Sequence, residues 1–592
     1  MSRHHELDLD GRLLSVDSRR VPHYRFDLLV IGGGAAGASA ALAGADAGAE
    51  VAVLGKGSRK ETNTLYAQGG IAAVLDGSDS FEEHVRDTLE VGCGLAEREV
   101  CELVIRSGPE AIDRLDRLGA RFDRDAEGAI ELSREGGHSR PRIIHARGDA
   151  TGRELQGTLN AAVRRHARIT TFSETYVVDL LCAEDGGVVG ALAVRSSGSS
   201  ANSAGGGEQA VFSARSIVMA TGGAGQLYRE TTNPAIATGD GIAIALRAGA
   251  SVRDLEFFQF HPTLLYIAGA ARVLISEIVR GAGGVLRDRD GERFMTEFHP
   301  MAELAPRDSV SRAVFRRMVE TKDTNVYLDL SALKRDPHEL FPGISRVCHF
   351  FGIDIARDPV PVRPGAHYMI GGLQVDGDGR TDVAGLWAVG ECASSGMHGA
   401  NRMGSNSLLE GLVLGHRVGQ LAAEETALHR REHRRELRDW TVRPPRERDA
   451  PPAGVSVSIQ DVTYSLKSVL WRQLGIERTG ADIEDALSRI RLWTRAVTEL
   501  APREPRTFEL LNMLTVAHLA AVSALQRTES RGVHYRTDYP EANPGAAKHT
   551  VLSPLFEEGR LHGVDVRSVP AGASSARTGT PDATPDGSTL RA

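Results

Sequence analysis

The sequence predicts an α/β protein: a Rossmann-like dinucleotide-binding domain interrupted by an inserted α+β capping domain and followed by a C-terminal helical domain. Three observations carry that expectation. The apolar run 26–31 ends in Gly32-x-Gly34-x-x-Gly37, which opens an alanine-rich helical stretch to about residue 48. The same strand-then-glycine pattern returns at 216–220, before Thr221-Gly222-Gly223, and at 385–389, before Gly390-Glu391. Later, Leu510, Leu511, Leu514, Leu519 and Val522 recur at helical spacing. Apolar runs bounded by glycine read as strands buried on both faces of a parallel sheet.

In chain order, residues 1–23 read as a polar N-terminal arm and 24–254 as the first part of the dinucleotide-binding domain. Its second strand covers 50–54, and a Gly/Ser-rich stretch at 196–208 reads as a flexible loop. Residues 255–369, rich in His, Arg and Pro, read as the capping domain, because the nucleotide-type pattern resumes over 370–439. A Pro/Arg-rich linker at 440–453 opens the helical domain, 440–545, for which packing against the capping domain is the modest expectation. The remainder, 546–592, reads as a disordered tail from its Ser/Thr/Pro/Gly-rich end.

Composition narrows the function. A formal charge of −8 offers no broad basic face, so nucleic-acid binding has no support. Cysteines 93, 101, 182, 348 and 392 form no CxxC pair and no metal-ligand spacing; they read as reduced thiols of a cytoplasmic protein. The charged N-terminus is no secretory signal. Residues 28–45 are uncharged, but three consecutive glycines and many alanines make a poor membrane helix, so no membrane association is expected.

In the glycine turn, Gly32 allows the tight bend and Gly34 the approach of a pyrophosphate. Gly37 allows close helix–strand packing, and Gly33, Ala35 and Ala36 lie between them. The second strand ends Leu54-Gly55-Lys56, without the carboxylate that holds an NAD ribose. Lys56 is a candidate cofactor neighbour or simply a solvated lysine. Asp240 between two glycines, Glu391 after Gly390, and Ser405-Asn406-Ser407-Leu408 at the start of a helix favour a flavin. Ser and Asn suit an N-cap, and a helix N-terminus stabilises an anionic reduced ring. Each alone is also an ordinary turn or cap; together they read as one extended site.

These segments, with NTLYAQGGIAAV (63–74), REGGHSRPRIIHARGDATGREL (134–155), EFFQFHPTLLY (256–266), ELAPRDSVSRA (303–313), HYMIGGLQVD (367–376), GECASSGMHGANRMGSNSLLEGLV (390–413) and ESRGVHYRTDYP (529–540), resemble the succinate dehydrogenase/fumarate reductase flavoprotein superfamily. Within it the L-aspartate oxidase family is the nearest resemblance, spanning about residues 25–540. The resemblance implies FAD held by Gly33, Gly34, Ala35, Ala36, Lys56, Asp240, Glu391, Ser407 and Leu408. It also implies the run Asn63, Thr64, Leu65, Tyr66, Ala67, Gln68, Gly69 and Gly70. Asn63 stands where succinate dehydrogenases carry the flavin-linking histidine, so the FAD is expected to be noncovalent.

The same resemblance implies a dicarboxylate site from His261, Ser276, His367 and Arg402, where an arginine fork grips a carboxylate. Arg307 is the implied acid/base, fed by a proton path through Glu277 and Arg280. Ser276 stands where Thr is usual and Ala282 where Glu is frequent. Glu135 occupies the place of a neutral glutamine in the succinate and fumarate enzymes. A carboxylate there suits a substrate ammonium and repels a ligand offering only carboxylates.

The implied reaction is oxidation of L-aspartate to iminoaspartate, with oxygen or fumarate reoxidising the flavin. It is the first step of de novo NAD biosynthesis, with possible hand-over to quinolinate synthase. One rival, a succinate dehydrogenase or fumarate reductase subunit, predicts a histidine at 63 and a neutral residue at 135; neither is present. A second rival, a scaffold without activity, predicts loss of the charged pocket, yet His261, Arg307, His367 and Arg402 remain.

Overall fold

A computed structural model describes residues 3–14, 16–58, 61–148, 150–195, 207–267, 273–432 and 456–572. The Gly/Ser-rich loop, apart from its last two residues, and the Pro/Arg-rich linker lie outside them.

The centre is a five-stranded parallel sheet in the order Leu386–Ala388, Ser216–Met219, Leu28–Ile31, Val51–Leu54, Ile169–Phe172. The two returning segments therefore flank and complete the strand that opens the glycine turn. The strands 28–31, 51–54 and 216–219 are buried at every position, as apolar runs in a covered parallel sheet should be. On one face lies the helix Ala35–Asp46, crossed closely by the long helix Asn406–Glu432. The crossing is close because Gly411, Gly415 and Gly419 recur every four residues. A Cβ on Gly415 would press on the carbonyl of Ala36, and one on Gly419 on that of Ala40.

The segment between the returning strands carries its own antiparallel sheet, ordered Phe258–Leu265, Val360–Met369, Val326–Asp329, Val285–Arg287. Its separate core includes Val310, Val314, Leu328 and Val362, supplied partly by the helix Arg307–Glu320. The chain enters and leaves through Val252–Arg253 and Gly372–Gln374, which pair with each other.

The helices Ile459–Gln473, Gly480–Leu500 and Pro505–Gln526 form the C-terminal bundle. It touches the capping domain, as in Arg316 Nε to Glu477 (2.7 Å). Its apolar side, however, is buried in the same core as the dinucleotide-binding domain, with Leu514, Ala517 and Ala521 joining Val178, Leu180 and Ile242. The expected packing thus understates the domain. Pro505–Gln526 is long and apolar enough to cross a membrane, but its apolar surface is spent inside this core.

Two further expectations are corrected. Residues 546–572 are not a disordered tail: Lys548–Glu557 and Arg560–Pro570 form a hairpin whose Leu552, Leu561 and Val564 are buried. Its turn has Glu558 and Gly559 at positive φ (47° and 77°), the mirror-image geometry that suits strand twist. Residues 573–592 lie outside the described residues. Nor is the N-terminus a loose polar arm, because Arg3–Asp10 pairs antiparallel with the second hairpin strand. There Leu7 and Leu9 alternate inward, a period of two hidden among charged residues.

Candidate functional site

A single cavity of about 870 Å³ runs from the glycine turn to the capping-domain strands. At one end Gly32 turns at φ 113°, and a Cβ on it or on Gly37 would collide with the carbonyl of Ala220 or Gly32. Gly33, by contrast, meets nothing within 4 Å and leaves its backbone open to the cavity. The first helical N–H, of Ala35, is held by Thr64 Oγ (3.0 Å), and Gln156 fixes the Gly33 carbonyl (2.9 Å).

Lys56, on the wall, donates to Asp240 (2.8 Å) and Thr238 (2.7 Å) and pairs with Glu509 of the C-terminal bundle. Asp240 also accepts from Tyr176 (2.9 Å) and Asn512 (2.8 Å). Burial would raise its carboxyl, but Lys56, Asn512 and Thr238 hold it below the usual value. The missing ribose carboxylate of the second strand is thus accompanied by a basic group already matched by two acids.

Asn63 donates to Glu391 (2.9 Å) and Asn233 (3.2 Å), and its Oδ1 is buried without a partner, as is Gln68 Oε1. Thr64, Tyr66, Ala67, Gly69, Gly70, Ser407 and Leu408 complete this wall with Ala36. Leu65 does not reach it, its N–H being taken by Thr62, and Gly37 serves the packing behind. The residues expected as an N-cap are committed elsewhere: Asn406 bonds His84 and Thr88, and Ser405 donates to Glu135.

At the other end the wall brings together Glu135, His261, Ser276, Glu277, Arg307, His367 and Arg402. Arg307 Nε donates to Glu277 (2.6 Å), and Arg280 lies behind, 3.3 Å from the same carboxylate. Burial would push Glu277 up, yet Arg307 and Arg280 hold it at about 2. Ala282, where Glu is frequent in relatives, is exposed just after the short helix Ile278–Gly281 and leaves the Arg280–Glu277–Arg307 series intact.

Arg402 donates to Gln259 (3.1 Å) and Ser407 (2.8 Å) and lies 4.6 Å from the Tyr368 ring centroid. Burial, with Arg307 nearby, brings it down to about 10. Arg307 Nη1 and Arg402 Nε are buried without partners. His261 and His367 meet edge to face at 5.2 Å. Burial and the nearby arginines push both imidazoles well below the usual value, so they are neutral. Thr263 N–H approaches His261 Nδ1 (3.2 Å), which leaves the proton on Nε2. Sequence reasoning missed Gln259 and Tyr368, which brace Arg402; both lie inside the motifs already singled out, but neither carries a charge to draw attention.

The FAD binding domain family matches residues 27–408, and the C-terminal domain of fumarate reductase flavoproteins matches 463–571, including the terminal hairpin. L-Aspartate oxidase of Mycobacterium tuberculosis is 42% identical over 89% of this chain and 95% of its own length. That of Pseudomonas aeruginosa is 42% identical over 90% and 99%. The chain belongs to the L-aspartate oxidase family. Among solved structures, a chain of E. coli quinol fumarate reductase is similar at 30% identity and TM-score 0.82, covering 95% of this chain and 99% of that one.

Members of the L-aspartate oxidase family are flavoproteins, and FAD suits this cavity on physical grounds. The volume accommodates an extended dinucleotide, open backbone lies at a helix N-terminus, and Asn63 and Gln68, each with a buried amide oxygen that lacks a partner, lie on the same wall.

Proposed function

We propose that this chain is an FAD-dependent L-aspartate oxidase acting in the cytoplasm at the first step of de novo NAD biosynthesis. Oxygen or fumarate reoxidises the cofactor, and the product is handed on to quinolinate synthase. FAD, bound noncovalently because Asn63 has no nucleophilic atom to offer, supplies the two-electron acceptor. L-Aspartate gives up a hydride from Cα and a proton from its ammonium, leaving iminoaspartate.

The protein's own part is grip and charge. Arg307 and Arg402 on the cavity wall, with His261 and His367 as neutral donors, suit two carboxylates. Glu277, near 2, stays charged and accepts from Arg307 Nε. Arg307 then serves as an acid toward fumarate and as an electrostatic partner toward L-aspartate.

The observation that carries the reading is Glu135, a carboxylate 5% exposed in the same cavity as those cations. Anaerobic addition of L-aspartate should bleach the flavin near 450 nm, whereas succinate and D-aspartate should not. Bleaching by succinate, or none with L-aspartate, would sink the reading. Glu135→Gln should raise the KM for L-aspartate by on the order of ten- to a hundredfold and tighten succinate inhibition.

A further inference from the structure

Glu135 can select an ammonium only if its carboxylate is held still, and its Oε2 is held by the Ser405 hydroxyl (2.7 Å). Ser405 is at φ 64°, a left-handed conformation that a side-chain-bearing residue keeps only when its surroundings over-determine it. The Ser405 carbonyl accepts from Ala72 N–H (3.2 Å), and the next residue, Asn406, is clamped by His84 (2.9 Å) and Thr88 (3.0 Å). On the other side is Gly404, where a Cβ would stand 2.9 Å from Arg307 Nη2 and 3.0 Å from Glu135 Oε2. The turn therefore threads between two candidate substrate-site residues, and any shift of it moves Glu135.

The Gly404 carbonyl is 3.0 Å from His138 Nε2. Arg142 Nη1 is 3.3 Å from the other ring nitrogen. A guanidinium can only donate, so Nδ1 accepts and Nε2 carries the proton that Gly404 needs. Arg142, itself fully buried, is fixed by Asp79 (2.7 and 2.8 Å) and Asp87 (2.6 Å). Asp87 also accepts from the backbone and hydroxyl of Ser139 (2.8 and 2.7 Å), next to His138. None of Asp79, Asp87, His138 or Arg142 is on the cavity wall.

We propose that His138, anchored through Arg142, is a specificity-positioning residue: it holds the Gly404 carbonyl and so fixes the Ser405 turn that aims Glu135 at the ammonium of an α-amino dicarboxylate. This rests on the reading of Glu135 given above. The alternative is a core histidine that merely fills space and satisfies its hydrogen bonds.

The test compares the KM for L-aspartate with the dissociation constant of succinate, read from the flavin spectrum. It uses the FAD-loaded enzyme and its His138→Phe, His138→Gln, Glu135→Gln and His138→Phe/Glu135→Gln variants. His138→Phe should raise the KM for L-aspartate by on the order of tenfold, the value of one buried hydrogen bond, while succinate binding holds within about twofold. Glutamine can still donate to Gly404, so His138→Gln should recover most of that loss. The double variant should discriminate no worse than Glu135→Gln alone.

Equal losses for both ligands, or no rescue by glutamine, would overturn the inference in favour of the structural role. If Glu135→Gln leaves discrimination unchanged, the parent reading falls. If it shifts discrimination and His138→Phe does not, only the present inference falls. Should His138→Phe fail to retain FAD, Asp87→Asn loosens Arg142 without loss of volume. It should show the same selective rise, and its absence is equally decisive.

Discussion

Arg307 and Arg402 bring two permanent positive charges onto one wall, with Arg280 behind it, and the two are stabilised differently. Arg307 and Arg280 share Glu277, while Arg402 relies on neutral acceptors and the face of Tyr368. Arg402 thus offers its charge to a ligand more completely. Arg402→Lys keeps the charge and loses the fork, so it should raise the KM for L-aspartate about ten- to a hundredfold with a smaller change in kcat. The neutral histidines add a pH effect. Folding lowers their pKa from 6.5, so their contribution to stability is complete above that value. It is lost as pH falls below it, because the unfolded chain takes up protons that the folded one refuses. The melting temperature should drop between pH 7 and 5, and less steeply in His261→Gln; equal slopes would refute the assignment. The charged members of this wall were legible in the sequence because they sit in long contiguous motifs. The neutral residues that aim them were not, since an amide or phenol gains its role only from a neighbour more than a hundred positions away, as Gln259 does from Arg402.

Helices set the cofactor end. The glycine repeat in Asn406–Glu432 lets that helix lie against Ala35–Asp46, and together they present Gly33, Ala36, Ser407 and Leu408 to one cavity. Gly419→Ala adds a methyl group against the Ala40 carbonyl. It should cost about 1–3 kcal/mol by denaturant titration and weaken FAD binding, through displacement of the first helix. Pro505–Gln526 contributes differently, sending Asn512 to Asp240 and Glu509 to Lys56. Asn512→Leu should raise the dissociation constant for FAD severalfold, measured by fluorescence on release, since Asp240 loses a buried donor. The helical periodicity of this segment was plain from Leu510 to Val522. Its partnership with the glycine-turn domain was not, because packing partners across roughly 270 residues leave no local pattern.

For the whole molecule, the returning strands at 216–219 and 386–388 announced a discontinuous domain with an insertion, and the sheet order bears out their place beside 28–31. The ends were misread for a compositional reason. The last twenty residues dilute the apolar alternation of the hairpin before them, and charges mask Leu7 and Leu9. The hairpin also pairs with Val252–Arg253, where the chain enters the capping domain, and His549 lies against Asp254 (2.5 Å). Truncation before Lys548 should therefore uncover the apolar edge at Leu9 and give aggregated or FAD-poor protein on size-exclusion chromatography.

The pairing of Arg3 with Val566 has a consequence in time. A ribosome adding roughly 5–20 residues per second releases the partner of the first strand about half a minute to two minutes after that strand emerges. For that interval the inward-facing leucines of the first ten residues have no sheet to join. The strand Arg3–Asp10 is thus housed long after it is made, and the nascent chain carries it as an unpaired edge until Arg560–Pro570 has emerged.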